Sequence, residues 1–225
     1  MGRNKLLNSD GDSMSLMEKM VKQCKKPTGT FGRFMARSMN YGHSKVAQWG
    51  LSHVSINKNN TILDVGCGGG KTVNTLTKTA TEGKIYGIDY SADSVKVASK
   101  INKKPINEGK VEILHASVES LPFSDDSFDL VTAVETYYFW PDLINSLKEI
   151  RRVLKPGGSA ILINECYRCD KFEKRNAKWA RMGDFTYHLP EEFRKFLEKA
   201  GYSSIQIKIL EDKNWIAAIG TKNET

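Results

Sequence analysis

Two carboxylates and a run of glycines carry the chemistry that can be read first from this chain. Asp64 closes the apolar run Thr61-Ile-Leu-Asp64, glycines follow at 66, 68, 69 and 70, and Asp89 closes a second apolar run about 20 residues further on. Glycines at alternating positions let the backbone turn tightly and approach a ligand that a side chain at Gly66 or Gly68 would obstruct. A strand that turns through glycines into a helix holds a nucleotide-like ligand, and the details restrict which one. A phosphate-binding P-loop needs a glycine five residues before Gly70-Lys71-Thr72, where this chain has Val65. The G-x-G-x-x-G dinucleotide fingerprint fails too, because position 71 is lysine. Asp64 argues against both, since a strand-end carboxylate repels a pyrophosphate and suits a cationic ligand.

Leu63-Asp-Val-Gly-Cys-Gly-Gly-Gly70 resembles motif I of the class I S-adenosylmethionine-dependent methyltransferases, and other family landmarks follow in order. Gly83-Lys-Ile-Tyr-Gly-Ile-Asp89-Tyr90-Ser91 reads as a second strand followed by a helix capped by Ser91. The resemblance gives Asp89 the ribose hydroxyls and sets Tyr90 beside the adenine. Val111 to His115 is a third strand, and Leu121-Pro122-Phe123 after it matches the small-molecule branch, the methyltransferase type 11-like group. Where that family usually carries an aspartate for the adenine amino group, this chain has Ser117, a weaker acceptor, so adenine binding leans on the Val118 backbone amide and on stacking. The fourth strand delivers Glu135 to the carboxyl edge of the sheet, where ligands of open parallel sheets sit. By resemblance Glu135, Tyr137 and Tyr138 face the methyl group, whereas Phe139 and Trp140 read as an apolar plug.

These landmarks must be carried by a doubly wound, seven-stranded, mostly parallel sheet of the Rossmann-like methyltransferase type, spanning residues 60–225 and covered by an N-terminal helical lid, residues 1–59. Residues 142–154 form an amphipathic helix stopped by Pro156-Gly157-Gly158, the fifth strand starts at Ser159, and Pro190 and Gly201 bracket a late helix. In the extension, Met14 to Lys26 reads as an amphipathic helix, Pro27 to Gly32 as a break, and Arg33 to Leu51 as a second helical stretch. On resemblance this lid closes over the cofactor and brings Tyr41 and His43 nearest the methyl group.

The first 60 residues hold ten Lys or Arg against three Asp or Glu, so this quarter supplies nearly all of the formal +8. Its charges alternate with Met, Phe and Leu instead of forming an arm, which disfavours nucleic acid and leaves a solvated helix face, an anionic small substrate or an acidic partner open. Met1 to Asp10 lacks an apolar core and no 18-residue apolar run exists, so no membrane span and a cytoplasmic protein, monomer or homodimer, are expected. The four cysteines fit a reducing compartment. Cys67 reads as part of the cofactor loop, and Cys166 and Cys169 offer no zinc-ligand spacing, so no metal is expected.

A sulfonium methyl is already activated, so transfer is an in-line displacement governed by alignment, with a base needed only where the nucleophile arrives protonated. His43, Glu135, Tyr137 and His188 are the candidates. The cofactor set is Tyr41, Asp64, Gly66, Cys67, Gly68, Asp89, Tyr90, Ser117, Val118 and Glu135. The reading favours a small-molecule acceptor over a tRNA or protein substrate, and over a non-catalytic binder of S-adenosylmethionine.

Overall fold

Seven strands carry the molecule in a computed structural model that describes residues 42–224 together with Gly29 and Phe34. They are β1 (Ile62–Val65), β2 (Ile85–Asp89), β3 (Val111–His115), β4 (Phe128–Val134), β5 (Leu154–Asn164), β6 (Ser203–Leu210) and β7 (Trp215–Thr221). Their order across the sheet is β3-β2-β1-β4-β5-β7-β6. The first five pair in parallel, and β7 runs antiparallel between β5 and β6. This is the doubly wound sheet with one reversed strand that the sequence predicts.

The helices are α1 (Ser44–Leu51), α2 (Lys71–Leu76), α3 (Ala92–Ile101), α4 (Lys103–Asn107), α5 (Leu143–Val153), α6 (Glu173–Gly183) and α7 (Pro190–Lys199). Successive strand residues point to opposite faces, which splits the core into two layers. Ile62, Ile161, Ile163 and Ile219 pack with Val46, Val73 and Ala98 on one side. Leu63, Val65, Leu162 and Ile216 pack with Leu147, Ile150, Phe193 and Leu197 on the other. Capping follows the sequence: Ser91 Oγ accepts from Ser94 N at 3.3 Å, Asp142 Oδ1 from Asn145 N at 3.0 Å, and Pro190 opens α7.

Two boundaries differ from expectation. α5 stops at Val153, and β5 begins at Leu154 instead of Ser159, because Leu154 already pairs with Phe128 and the Pro156-Gly157-Gly158 turn is absorbed as an irregularity in the β4–β5 register. In the extension, the stretch expected over Arg33 to Leu51 is described as a helix from Ser44. There Gly50 lies so close to β5 that a Cβ would stand 2.5 Å from Ile163 Cγ1, and Val46 is fully buried. The end of the extension is therefore part of the core. The helix expected over Met14 to Lys26 and Tyr41 fall outside the described residues.

Candidate active site

The carboxyl ends of β1, β2 and β4 meet at one edge of the sheet, and the glycine turn after β1 lies across it. Gly66, Gly68 and Gly70 all have positive φ, a conformation that costs glycine little and other residues much. Their reasons differ. A Cβ on Gly66 would sit 2.1 Å from Thr136 Oγ1, so this glycine, besides lining the cleft, admits the loop after β4. Gly68 faces open space within the cleft. Asp89 holds the turn: its Oδ2 accepts from Gly68 N at 2.9 Å while Oδ1 accepts from Ser91 N at 2.8 Å. One carboxylate thus ties the glycine loop to the start of α3 and keeps lone pairs for a ligand hydroxyl. Burial raises its pKa, opposed by the two backbone N–H donors.

Asp64 is 1 % exposed and accepts a 2.6 Å hydrogen bond from Thr132 Oγ1 of β4. Burial pushes its pKa up to about 7, the Thr132 bond opposing and the Asp89 charge adding. Glu135, the first residue past β4, has φ +55 and extends the ladder by donating its N–H to Ile163 O at 2.9 Å. Its carboxylate accepts from Glu165 N and, at 3.5 Å, from Tyr138 OH. Burial pushes its pKa up to about 7 as well, despite the nearby His43. A non-glycine residue in the left-handed region is backbone strain concentrated where three elements meet.

Three cavities adjoin this edge. The first, about 970 Å³ including its open mouth, is lined by the glycine turn, Asp64, Cys67, Asp89, Tyr90, Glu135, Phe139 and, from α1 and the residue before it, His43 and Ala47. The second, about 490 Å³, lies beyond Asp89 and Tyr90 and is lined by Ile88, Ser117, Val118, Glu119, Phe139 and Trp140. The third, about 850 Å³, is walled by Tyr138, Phe139, Trp179 and Phe185, with Glu135, Glu165, His43, Cys166 and Arg175 around them. His43, Glu135 and Phe139 belong to both the first and the third, so these residues form the partition between them.

Most of the expected set converges here. Asp64, Gly66, Cys67, Gly68, Asp89, Tyr90, Glu135 and His43 line the first cavity, Ser117 and Val118 the second. Two candidates for the base, Tyr137 and His188, line none of these three cavities. Tyr137 is 2 % exposed within the core, its ring 5.1 Å from that of Phe193, and its hydroxyl faces His188 Nδ1 at 3.4 Å. The short 3-10 turn Tyr137–Phe139 aims consecutive side chains in different directions, so Tyr138 enters the third cavity and Tyr137 the core. Burial lowers the His188 pKa and raises that of Tyr137 well above the usual range. Cys67 is buried beneath the loop, and burial raises its pKa well above that of a free thiol.

Several residues escape sequence reasoning. Phe139 and Trp140, read as a plug, line cavities. Ser117 donates to Glu119 Oε2 at 3.2 Å, which places a carboxylate two residues beyond the family's usual aspartate position. Glu165 stands directly after β5, a strand-end position that the spacing rule applied to Asp64, Asp89 and Glu135 would also have flagged. Arg175, Trp179 and Phe185 come from α6 and the turn after it, where no family landmark exists. Arg175 donates to Glu165 O at 3.3 Å and to Asn214 Oδ1 at 2.7 Å and lies over the Phe172 ring at 4.4 Å.

A methyltransferase domain family model matches residues 63–162. The chain is 25% identical over 181 residues to the demethylmenaquinone methyltransferase of Staphylococcus saprophyticus, covering 70% of this chain and 76% of that protein. Among solved structures, a chain of the complex between the Haloferax volcanii Trm112 methyltransferase activator and the putative methyltransferase superposes with a TM-score of 0.72 at 21% identity, over 86% of this chain and 95% of its own. Geranyl diphosphate C-methyltransferase from Streptomyces coelicolor, solved with S-adenosyl-L-homocysteine, gives 0.66 at 15% identity over 80% and 76%. At these identities the structural likenesses speak for the fold.

Proposed function

We propose that the chain is a class I S-adenosylmethionine-dependent methyltransferase that binds S-adenosylmethionine in the first two cavities and methylates a small, ring-bearing acceptor held in the third. The observation that carries this is the shared partition: a cleft built on the glycine turn opens, across His43, Glu135 and Phe139, onto an apolar chamber with four aromatic walls.

The residues fit such a cofactor. Asp89 can accept from ribose hydroxyls, and Tyr90 and Phe139 flank the space beyond it beside the Ser117–Glu119 turn. Asp64 and Glu135 supply negative charge toward a ligand that is cationic at its sulfonium and its ammonium. When bound, that group supplies a methyl on a positively charged sulfur. The protein's own share is alignment, which can lower a barrier by roughly 7–11 kcal/mol.

Aromatic walls and an apolar interior suit a planar acceptor, in keeping with a relative named for demethylmenaquinone. An anionic acceptor, expected from the basic extension, finds two carboxylates and one guanidinium on the described chamber wall. That wall favours a neutral or cationic ring. Within the described residues no helix is long and apolar enough to cross a membrane. The extension of residues 1–59 we assign as the lid, with α1 as its anchored end.

Calorimetry with S-adenosylmethionine and S-adenosylhomocysteine tests the first half of the reading, and transfer of a labelled methyl to a panel of phenols, quinols and aromatic amines tests the second. Binding of neither nucleoside would sink the cofactor assignment. Transfer confined to tRNA or protein would overturn the acceptor class.

A further inference from the structure

Glu165 and His43 stand together where the first cavity meets the third. Glu165 Oε2 lies 3.7 Å from His43 Nδ1, an ion-pair distance longer than a hydrogen bond. Nδ1 is buried and has no hydrogen-bond partner among the described residues, and the Glu165 carboxylate stands within ion-pair reach of it. Glu165 is itself fixed at both ends of its backbone, its N–H donating to the Glu135 carboxylate and its C=O accepting from Arg175. His43 sits one residue before α1, which Gly50 seats against Ile163, two residues before Glu165. Both partners are therefore held by the same strand.

We propose, resting on the function assigned above, that Glu165 is a positioning residue that holds His43 with its proton on Nδ1, leaving Nε2 to accept a proton from the acceptor. The acceptor is then a nucleophile that arrives with its hydrogen, on oxygen or nitrogen. In the transfer the acceptor–carbon bond forms, the sulfur–carbon bond breaks with its electron pair left on sulfur, and the acceptor's proton ends on Nε2. The sulfonium charge is discharged and reappears as an imidazolium between Glu165 and Glu135.

The groups facing His43 agree with that outcome. Glu135 from the end of β4 and Glu165 from the end of β5 favour the imidazolium, Arg175 from α6 opposes it from beyond the Glu165 carbonyl, and Tyr138 and Cys166 complete the chamber side. Burial alone would lower the His43 pKa, but the Glu165 contact and the charges of Glu135 and Glu165 outweigh it and raise the value above that of free imidazole.

The test uses the full chain with ¹⁵N-labelled histidine, loaded with S-adenosylhomocysteine, and follows His43 among the four histidines by nuclear magnetic resonance, with His43→Gln for assignment. Neutral His43 should carry its proton on Nδ1 and titrate above free imidazole. Glu165→Gln should shift the tautomer toward Nε2–H and move the titration to lower pH. For an acceptor found in the panel, the rising limb of the rate against pH should move the same way, and His43→Gln should lower the rate by about 10²–10⁴-fold. An unchanged tautomer and titration in Glu165→Gln would overturn the proposal. Should that variant not fold, the wild-type tautomer decides: Nε2–H overturns it and Nδ1–H supports it. Calorimetry on the same wild-type sample separates the two readings, since failure to bind S-adenosylhomocysteine refutes the cofactor assignment, not the pairing.

Discussion

Asp64 and Glu135 are carboxylates whose burial makes ionisation costly and pushes both pKa values up to about 7. A cation bound between them favours the charged forms, so cofactor binding near neutrality should release protons. Calorimetry at pH 7 in buffers of different ionisation enthalpy should show that release, with affinity rising as pH increases through 7. Asp64→Asn should reduce it. Glu135 has a second consequence, for stability. Its proton is bound more tightly in the folded state than in the unfolded chain, where a glutamate titrates at about 4.3, so this contribution is full below that pH and is lost as pH rises through about 7. Glu135→Gln, which keeps an oxygen for the Glu165 N–H, should therefore melt higher than the parent at pH 8, by a margin on the order of 1 kcal/mol, and no higher at pH 4. Its turnover should fall, because the group that burdens the fold stands at the cavity partition. Asp89→Ala removes the acceptor of two backbone N–H groups as well as any ligand hydroxyl. S-adenosylhomocysteine should then bind at least about 10-fold more weakly, each lost bond to a charged group costing about 1.5–3 kcal/mol.

At the scale of elements, the site depends on how closely backbones approach. Gly66→Ala would drive a Cβ into Thr136 and force a strained φ, displacing the loop that carries Glu135, while Gly50→Ala would press α1 away from Ile163. Each should lower stability by about 1–3 kcal/mol in a denaturant titration. Only Gly50→Ala should also disturb His43 resonances while leaving the glycine turn intact. The strand ends were legible from sequence because an apolar run closing on Asp64, Asp89 or Glu135 has one reading in a parallel sheet. The start of β5 was not, since pairing of Leu154 with Phe128 overrides the break that Pro156-Gly157-Gly158 signals locally. The Tyr137–Phe139 turn was legible as aromatic but not as directed. Which of its rings meets the core and which the cavities depends on α7 and on Phe185, far along the chain. The third cavity is the least legible part. α6 supplies its wall, and nothing in the sequence of α6 marks it as more than an amphipathic helix.

For the whole molecule, ligand that binds only the folded state stabilises it by mass action. S-adenosylhomocysteine at 100 times its Kd should add about 2.7 kcal/mol, which for a chain of this size raises Tm by roughly 5–10 °C. A shift that vanishes in Asp89→Ala would tie it to the cleft. The sheet order also sets a timetable. β7 runs between β5 and β6, so the strand made last fills an interior position. Until Thr221 has been added, 57 residues after Asn164, β5 has an open edge and β6 lacks the one strand it pairs with among the described residues. At about 5–20 residues per second, that edge stays unpaired for roughly 3–11 s of every synthesis. An unpaired edge is a template for other chains. The growing protein is thus most exposed to misassociation after its glycine turn and strand-end carboxylates have all been made, and a chaperone that shields β5 during those seconds would raise yield without touching the finished enzyme.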